Sequence, residues 1–183
     1  MPTFRLQEYR PEYLDRYFAA VDESRNHVGR WMDWLTPEFT KETAREWFAT
    51  CDANRAAGVS QEFLLVDTDN DSVVGACGLN QCSEIYRMAN LGYWVRASRL
   101  REGAASAGVT ALRELGFNQL NLNRIEIVVA VGNTASQRVA KRAGAIEEGV
   151  LRARLIIGDI AHDAKMYSFI NPAAHRAKGN HLA

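Results

Sequence analysis

Residues 88–116 carry a strand, a short charged loop and a helix that opens on glycine, and this junction restricts the fold more than any other segment. The apolar strand ends at Val95, the loop covers residues 96–102, and Gly103 begins a helix in which Ala105, Val109 and Leu112 form one apolar stripe, with Gly116 as its expected terminator. A helix N-terminus presents unpaired N–H groups and a partial positive charge, so a glycine turn that admits a ligand favours an anion there. Ser106 adds a hydroxyl donor. Neither G-x-x-x-x-G-K-[ST] nor G-x-G-x-x-G is present at the junction, which argues against a nucleoside triphosphate or NAD. Taken alone, the segment also reads as a plain glycine-capped helix.

The rest of the chain supplies a sheet for this junction to join. Residues 4–8 alternate apolar and charged side chains, as a half-buried strand does. Pro11 then opens a helix with Tyr13, Leu14, Tyr17, Phe18 and Val21 on one face, and a shorter helix is expected over 25–31. Thr40 is the expected N-cap of a helix that runs to Ala57 and stops before Gly58. Strands over 62–66 and 72–80 flank the polar turn Asp67-Thr-Asp-Asn-Asp71. A strand over 124–131 leads to a helix over 133–143 closed by Gly144. Strands over 145–154 and 162–170 are joined through the turn pair Gly158-Asp159. This order of strands and helices describes one α/β domain over residues 1–171, a mixed sheet with helices on both faces, followed by a polar tail over 172–183.

Composition narrows the function classes. Twenty-two Lys and Arg balance twenty-two Asp and Glu among 183 residues, so the global basic field of a nucleic-acid binder is missing. No run approaches the roughly 18 apolar residues of a membrane span, and the start, Met1-Pro-Thr-Phe-Arg5, has no apolar signal region, so the expected compartment is the cytoplasm. Cys51, Cys77 and Cys82 match no Cys-x-x-Cys spacing and are read as reduced thiols, and the four histidines suggest no metal site.

A second unit with chemical content is Asn133-Thr-Ala-Ser136, at a strand end and in the first turn of a helix. Three residues apart, Asn133 and Ser136 fall on one face. Asn133 also serves as an ordinary N-cap. The whole ordered set is Gly92-Tyr93-Trp94, Gly103-Ala-Ala-Ser106, Asn133-Thr-Ala-Ser136, Gly144, Glu148-Gly149, Leu151-Arg152, Gly158, and Asp163 before Tyr167. This set resembles the GNAT superfamily of acyl-CoA-dependent N-acetyltransferases and, within it, the RimJ/RimL type, nearest to the ribosomal-protein-serine acetyltransferases.

The resemblance implies acetyl-CoA as co-substrate, a GNAT-like, mostly antiparallel mixed sheet, and roles for particular residues. The family's pyrophosphate motif, Q/R-x-x-G-x-G/A, falls on Leu100, Arg101, Glu102, Gly103, Ala104 and Ala105. Leu100 lacks the usual side-chain donor and Glu102 brings a carboxylate, which Arg99 and Arg101 offset by charge. The pantetheine arm is expected along Trp94 and Val95, with Val95 N–H polarising the acetyl oxygen, Asn133 bonding the arm and Ser136 protonating the leaving sulfur. Trp31 and Trp34 are expected to wall the acceptor end. The carboxylate that similar enzymes carry on the strand after Leu151 falls on Leu155, so no base carries over; Glu84, His162 and Asp163 are candidates acting through water. An α-amine, with a pKa of about 7.7–8.0, tolerates a missing base far better than Lys at about 10.4. The implied acceptor is therefore a protein N-terminus, with a ribosomal protein in view and a homodimer as the family's assembly. A small amine such as a polyamine or antibiotic, or a CoA-binding module without catalysis, are the alternatives.

Overall fold

The computed structural model describes residues 3–174; the greater part of the expected tail, 175–183, lies outside the described residues. Seven strands form one sheet: β1 Phe4–Gln7, β2 Gln61–Asp67, β3 Val73–Ser83, β4 Met88–Val95, β5 Arg124–Ala130, β6 Ile146–Ile157 and β7 Ile160–Ile170. Five helices accompany them: α1 Leu14–Glu23, α2 Arg25–Val28, α3 Lys41–Ala56, α4 Ala104–Asn118 and α5 Thr134–Arg142. The strands lie in the order β1-β2-β3-β4-β5-β7-β6, and every neighbouring pair is antiparallel except β4 with β5. The expected mixed, mostly antiparallel sheet with helices on both faces is the architecture found.

Strand periodicity explains the two cores. On β2, Phe63 and Leu65 point to one face while Leu64 and Val66 point to the other, and all four are buried. The first face packs with Val109 and Leu112 of α4 and with Leu79, Leu91 and Ile125. The second packs with Tyr17 and Val21 of α1, Phe48 of α3, and Ala76 and Trp94 from the sheet. A central strand buried on both sides cannot alternate apolar with polar residues, and 62–66 does not.

Local signals set most boundaries. Thr40 caps α3 in a reciprocal box with Thr43, and Gly158 and Asp159 both take left-handed φ, 57° and 62°, as a two-residue hairpin needs. Two expectations are corrected. Gly116 does not end its helix: α4 continues to Asn118, and Gly116 is there because a Cβ would approach Ile125 Cδ1 to 2.7 Å. The helix expected over 25–31 stops at Val28, since the chain folds back at Gly29, where a Cβ would lie 2.9 Å from the Leu35 carbonyl oxygen.

Strand β6 is the outer edge, bulged near Gly149 and Ala153, and is bound to the sheet by carboxylates. Glu147 pairs with Lys141 and Lys165, and Glu148 with Arg124. These bonds hold each carboxyl at about 2, below its ordinary 4.5. A carboxyl whose pKa is depressed by folding contributes stability above the ordinary range and loses it as pH falls through the folded value. The melting temperature should therefore decline as pH drops from about 4.5 to about 2, with a shallower decline in Glu148→Gln. Leu112→Ala, which empties a fully buried site beneath α4, should cost about 2–5 kcal/mol in urea unfolding with little change in slope.

Candidate active site

Strands β4 and β5 are paired only from Met88 to Asn90 against Arg124 to Glu126, although β4 runs on to Val95 and β5 to Ala130. Beyond Asn90 the two parallel strands part and leave a wedge. Hydrogen-bonded pairs alternate along an antiparallel ladder, and Arg96 N–H donates to Val74 C=O at 2.8 Å, so Trp94 and Gly92 spend their backbone groups on β3. The N–H and C=O groups of Tyr93 and Val95 consequently point into the wedge.

The loop past Val95 is clamped from two sides. Glu23 accepts from Arg96 Nε at 2.7 Å and from Ser98 N–H at 2.7 Å, bonds that hold its carboxyl at about 2. Arg99 donates to the buried Asp67 at 2.6 Å, to Glu102 at 2.8 Å and to Ser72 at 3.1 Å. Two of the loop's three arginines are therefore spent on the fold, and Glu102 is neutralised by one of them. Arg101, exposed and in left-handed backbone at φ 68°, makes no ion pair among the described residues. Gly103 follows at φ 95° as N-cap of α4, and its lack of a side chain leaves the first-turn N–H groups of Ala104, Ala105 and Ser106 uncapped.

Across the wedge, Asn133 caps α5 by accepting from Ser136 N–H at 3.1 Å, and its Nδ2 donors have no partner among the described residues. The Ser136 hydroxyl lies 2.8 Å from the Tyr93 hydroxyl, which also donates to the Ser136 carbonyl at 3.0 Å. Tyr93 thus reaches from β4 to α5 across the gap, and burial pushes its phenol up to about 12, so it is protonated at neutral pH. Sequence reasoning assigned Tyr93 no role, although it stands in the Gly-Tyr-Trp run; only the divergence of β4 and β5 gives it one.

A cavity of about 560 Å³ opens beside the wedge. Gly92, Tyr93 and Trp94 form one wall, and Tyr9, Trp34 and Trp47 others. Trp34 packs against Phe39 and Trp94, with ring centroids 5.5 and 6.1 Å apart. Trp31 lies elsewhere, with its ring against Gly132 in a smaller cleft of about 350 Å³ that includes His162 and Asp163. The linker after Gly29 therefore bridges the wedge, with Trp34 on the β4 side and Trp31 on the β5 side. Glu84 is exposed in the β3–β4 turn, at the closed end of the strand pair, and Asp163 accepts from Ala153 N–H at 2.9 Å to fill the β6 bulge. The cavity does hold a carboxylate that sequence reasoning passed over, Glu62 of β2.

A family model described as an acetyltransferase (GNAT) domain matches residues 3–146. The chain belongs to the GNAT acetyltransferase family. Members are acyltransferases that use acetyl-CoA. The match ends at the first residue of β6. The provisionally named ribosomal N-acetyltransferase YdaF of Bacillus subtilis is 29% identical over 170 residues, covering 92% of this chain and 90% of that protein. The ribosomal-protein-serine acetyltransferase of Escherichia coli is 30% identical over 113 residues, 62% of each chain. Among solved structures, the RimL ribosomal L7/L12 α-N-protein acetyltransferase in complex with coenzyme A superposes with a TM-score of 0.86 at 22% identity, covering 93% of this chain and 96% of that one.

The residues of this GNAT chain fit the family's donor. A pyrophosphate needs oriented donors without a facing carboxylate, and the uncapped α4 N-terminus, Arg101 and a neutralised Glu102 meet that need. An amide-bearing arm needs unpaired strand groups, which Tyr93 and Val95 provide. Arg101→Ala should raise the Kd for acetyl-CoA several-fold in calorimetry with an unchanged melting temperature. Arg99→Ala should weaken binding too, but together with a lower melting temperature, because it frees the loop and strands the buried Asp67.

Proposed function

We propose that this acetyltransferase acetylates the α-amine of a protein N-terminus, with a ribosomal protein as acceptor, in the cytoplasm. The observation that carries the reading is the convergence on one strand of both halves of the reaction. The wedge groups of Tyr93 and Val95 face the donor side, while Gly92, Tyr93 and Trp94 wall the aromatic cavity of the acceptor side. Support for a protein acceptor comes from relatives at about 30% identity that are named for ribosomal proteins.

Acetyl-CoA supplies an acetyl thioester: the N–C bond forms as the C–S bond breaks, and the electron pair leaves on sulfur. In this reading the chain's own groups take the following roles. Ala104, Ala105 and Ser106 N–H groups with Gly103 and Arg101 hold the pyrophosphate, and Asn133 Nδ2 bonds the arm. Val95 N–H polarises the acetyl oxygen from a fixed strand position, which needs no reorganisation during reaction. Ser136 gives its hydroxyl proton to sulfur and regains one from Tyr93, 2.8 Å away, and the proton that nitrogen sheds as the amide forms restores the phenol through water. The Trp94 and Trp34 rings keep water from the acceptor amine, and Trp31 guides the chain on the far side of the wedge. Exposed apolar side chains on the outer hairpin, Val150, Ile156 and Ile160, support a homodimer through that edge.

Release of free thiol from acetyl-CoA, measured with N-terminal peptides, polyamines and amino sugars, tests the reading. Peptides with a free α-amine should exceed polyamines at least tenfold in kcat/KM, and N-terminally blocked peptides containing Lys should be inert. Preference for polyamines or sugars would overturn the acceptor assignment. Ser136→Ala should lower kcat on the order of 10²-fold at saturating acetyl-CoA, and an unchanged kcat from pH 6 to 9 would remove Ser136 from the reaction.

A further inference from the structure

Glu62 is paired across the sheet with Gly78, which is itself paired with Gly92 of β4, so the three residues form one row on the cavity face. Two strand spacings, about 10 Å, separate the Glu62 backbone from the wedge strand. The side chain closes half of that distance by lying across Gly78, whose missing Cβ leaves the seat: a methyl group there would overlap the carboxylate. Asn80, itself held by Asn90 at 2.9 Å, approaches Glu62 Oε1 at 3.4 Å and fixes its direction.

No cation neutralises this carboxylate among the described residues. Arg55, the nearest, spends Nη1 on Glu8 at 3.0 Å and Nη2 on the Glu62 backbone carbonyl at 2.6 Å, and its plane lies over Phe63. The other titratable neighbours are Tyr9, Tyr17, Cys51, Cys77 and Cys82, all pushed above their ordinary values by burial, and Glu46 at the exposed mouth. Burial likewise raises Glu62 above the ordinary carboxylate range, opposed by Asn80 and Arg55. A withdrawn, uncompensated carboxylate weakens the fold at neutral pH, so its position calls for a partner that arrives from outside.

We propose that Glu62 is the group that receives the acceptor amine: its carboxylate binds the incoming ammonium at the floor of the aromatic cavity and takes one of its protons. The inference rests on the acetyltransfer reading above and fills its missing step. One N–H bond of R–NH3+ breaks and its pair stays on nitrogen, giving R–NH2 for attack. The proton forms the neutral Glu62 acid, which later returns it to water through the cavity mouth. The ligand class is a primary amine on an apolar stem, because the walls above the carboxylate are Tyr9, Trp34, Trp47 and Trp94 rings.

Glu62→Gln keeps the shape and the bond accepted from Asn80 while removing the charge. With an N-terminal peptide as acceptor, kcat/KM should fall on the order of 10²-fold at pH 6.5 and by tenfold or less at pH 9, where solvent has already deprotonated the amine, with acetyl-CoA affinity within twofold of the parent. A loss of equal size at every pH, or none, overturns the proposal. A binding measurement separates this inference from the function it rests on. By tryptophan fluorescence, 2-phenylethylamine should bind the parent at least tenfold more tightly than 2-phenylethanol, and Glu62→Gln should erase that difference whether or not any amine is turned over. Equal affinities in the parent overturn the role of Glu62. Amine-selective binding with no turnover of any amine leaves Glu62 as the amine site and overturns the acetyltransfer reading. Gly78→Ala, which displaces the carboxylate without removing it, should reproduce the loss of selectivity.

Discussion

The parting of β4 from β5 after Asn90 is the constraint on which the rest depends. Parallel neighbours normally stay bonded along their length, because an unpaired strand group withdrawn from water costs free energy of the order of a lost hydrogen bond. Here the backbone groups of Tyr93 and Val95 face an opening, and the structure around them keeps it from closing. Helix α5 begins directly after β5, Tyr93 reaches over to Ser136, and the linker after Gly29 passes above. The two buried cores lie on opposite faces of the sheet, so neither needs the gap to be filled.

The clamped loop beyond Val95 shows how charge serves architecture before it serves binding. In sequence, Arg96, Arg99 and Arg101 look like one basic cluster beside an opposing Glu102. Folding divides them: Glu23 from α1 takes the first, and Asp67 at the end of β2 with Glu102 takes the second. The loop thereby gains a fixed shape, and what it offers an anion is chiefly oriented backbone N–H. That explains why Leu100, unable to donate from its side chain, is compatible with this site.

Features encoded within a few residues were legible in the sequence. The Thr40 cap, the Gly158-Asp159 turn and the Gly103 junction follow from local chemistry and periodicity. What depends on register between distant strands was not. Glu62 and Gly78 are sixteen positions apart, and nothing in either neighbourhood says that one lies across the other. Gly116 misled for a related reason: glycine punctuates helices, but it also lets a helix approach a sheet, and only the Ile125 contact distinguishes the two. Trp31 and Trp34, treated as one wall from their closeness in sequence, part to opposite sides of the wedge because the linker crosses it.

The spent arginines also bear on the tempo of the enzyme. A neutral chain whose binding loop keeps a single arginine unpaired among the described residues casts little long-range field, so a polyanionic donor is not drawn in from a distance. Encounter then proceeds without the roughly 10–10³-fold gain in on-rate that a charged funnel gives. Affinity in such a site has to come from slow departure, through many short-range bonds along the wedge. Donor capture on these terms is governed by residence time, and ionic strength has little hold over it.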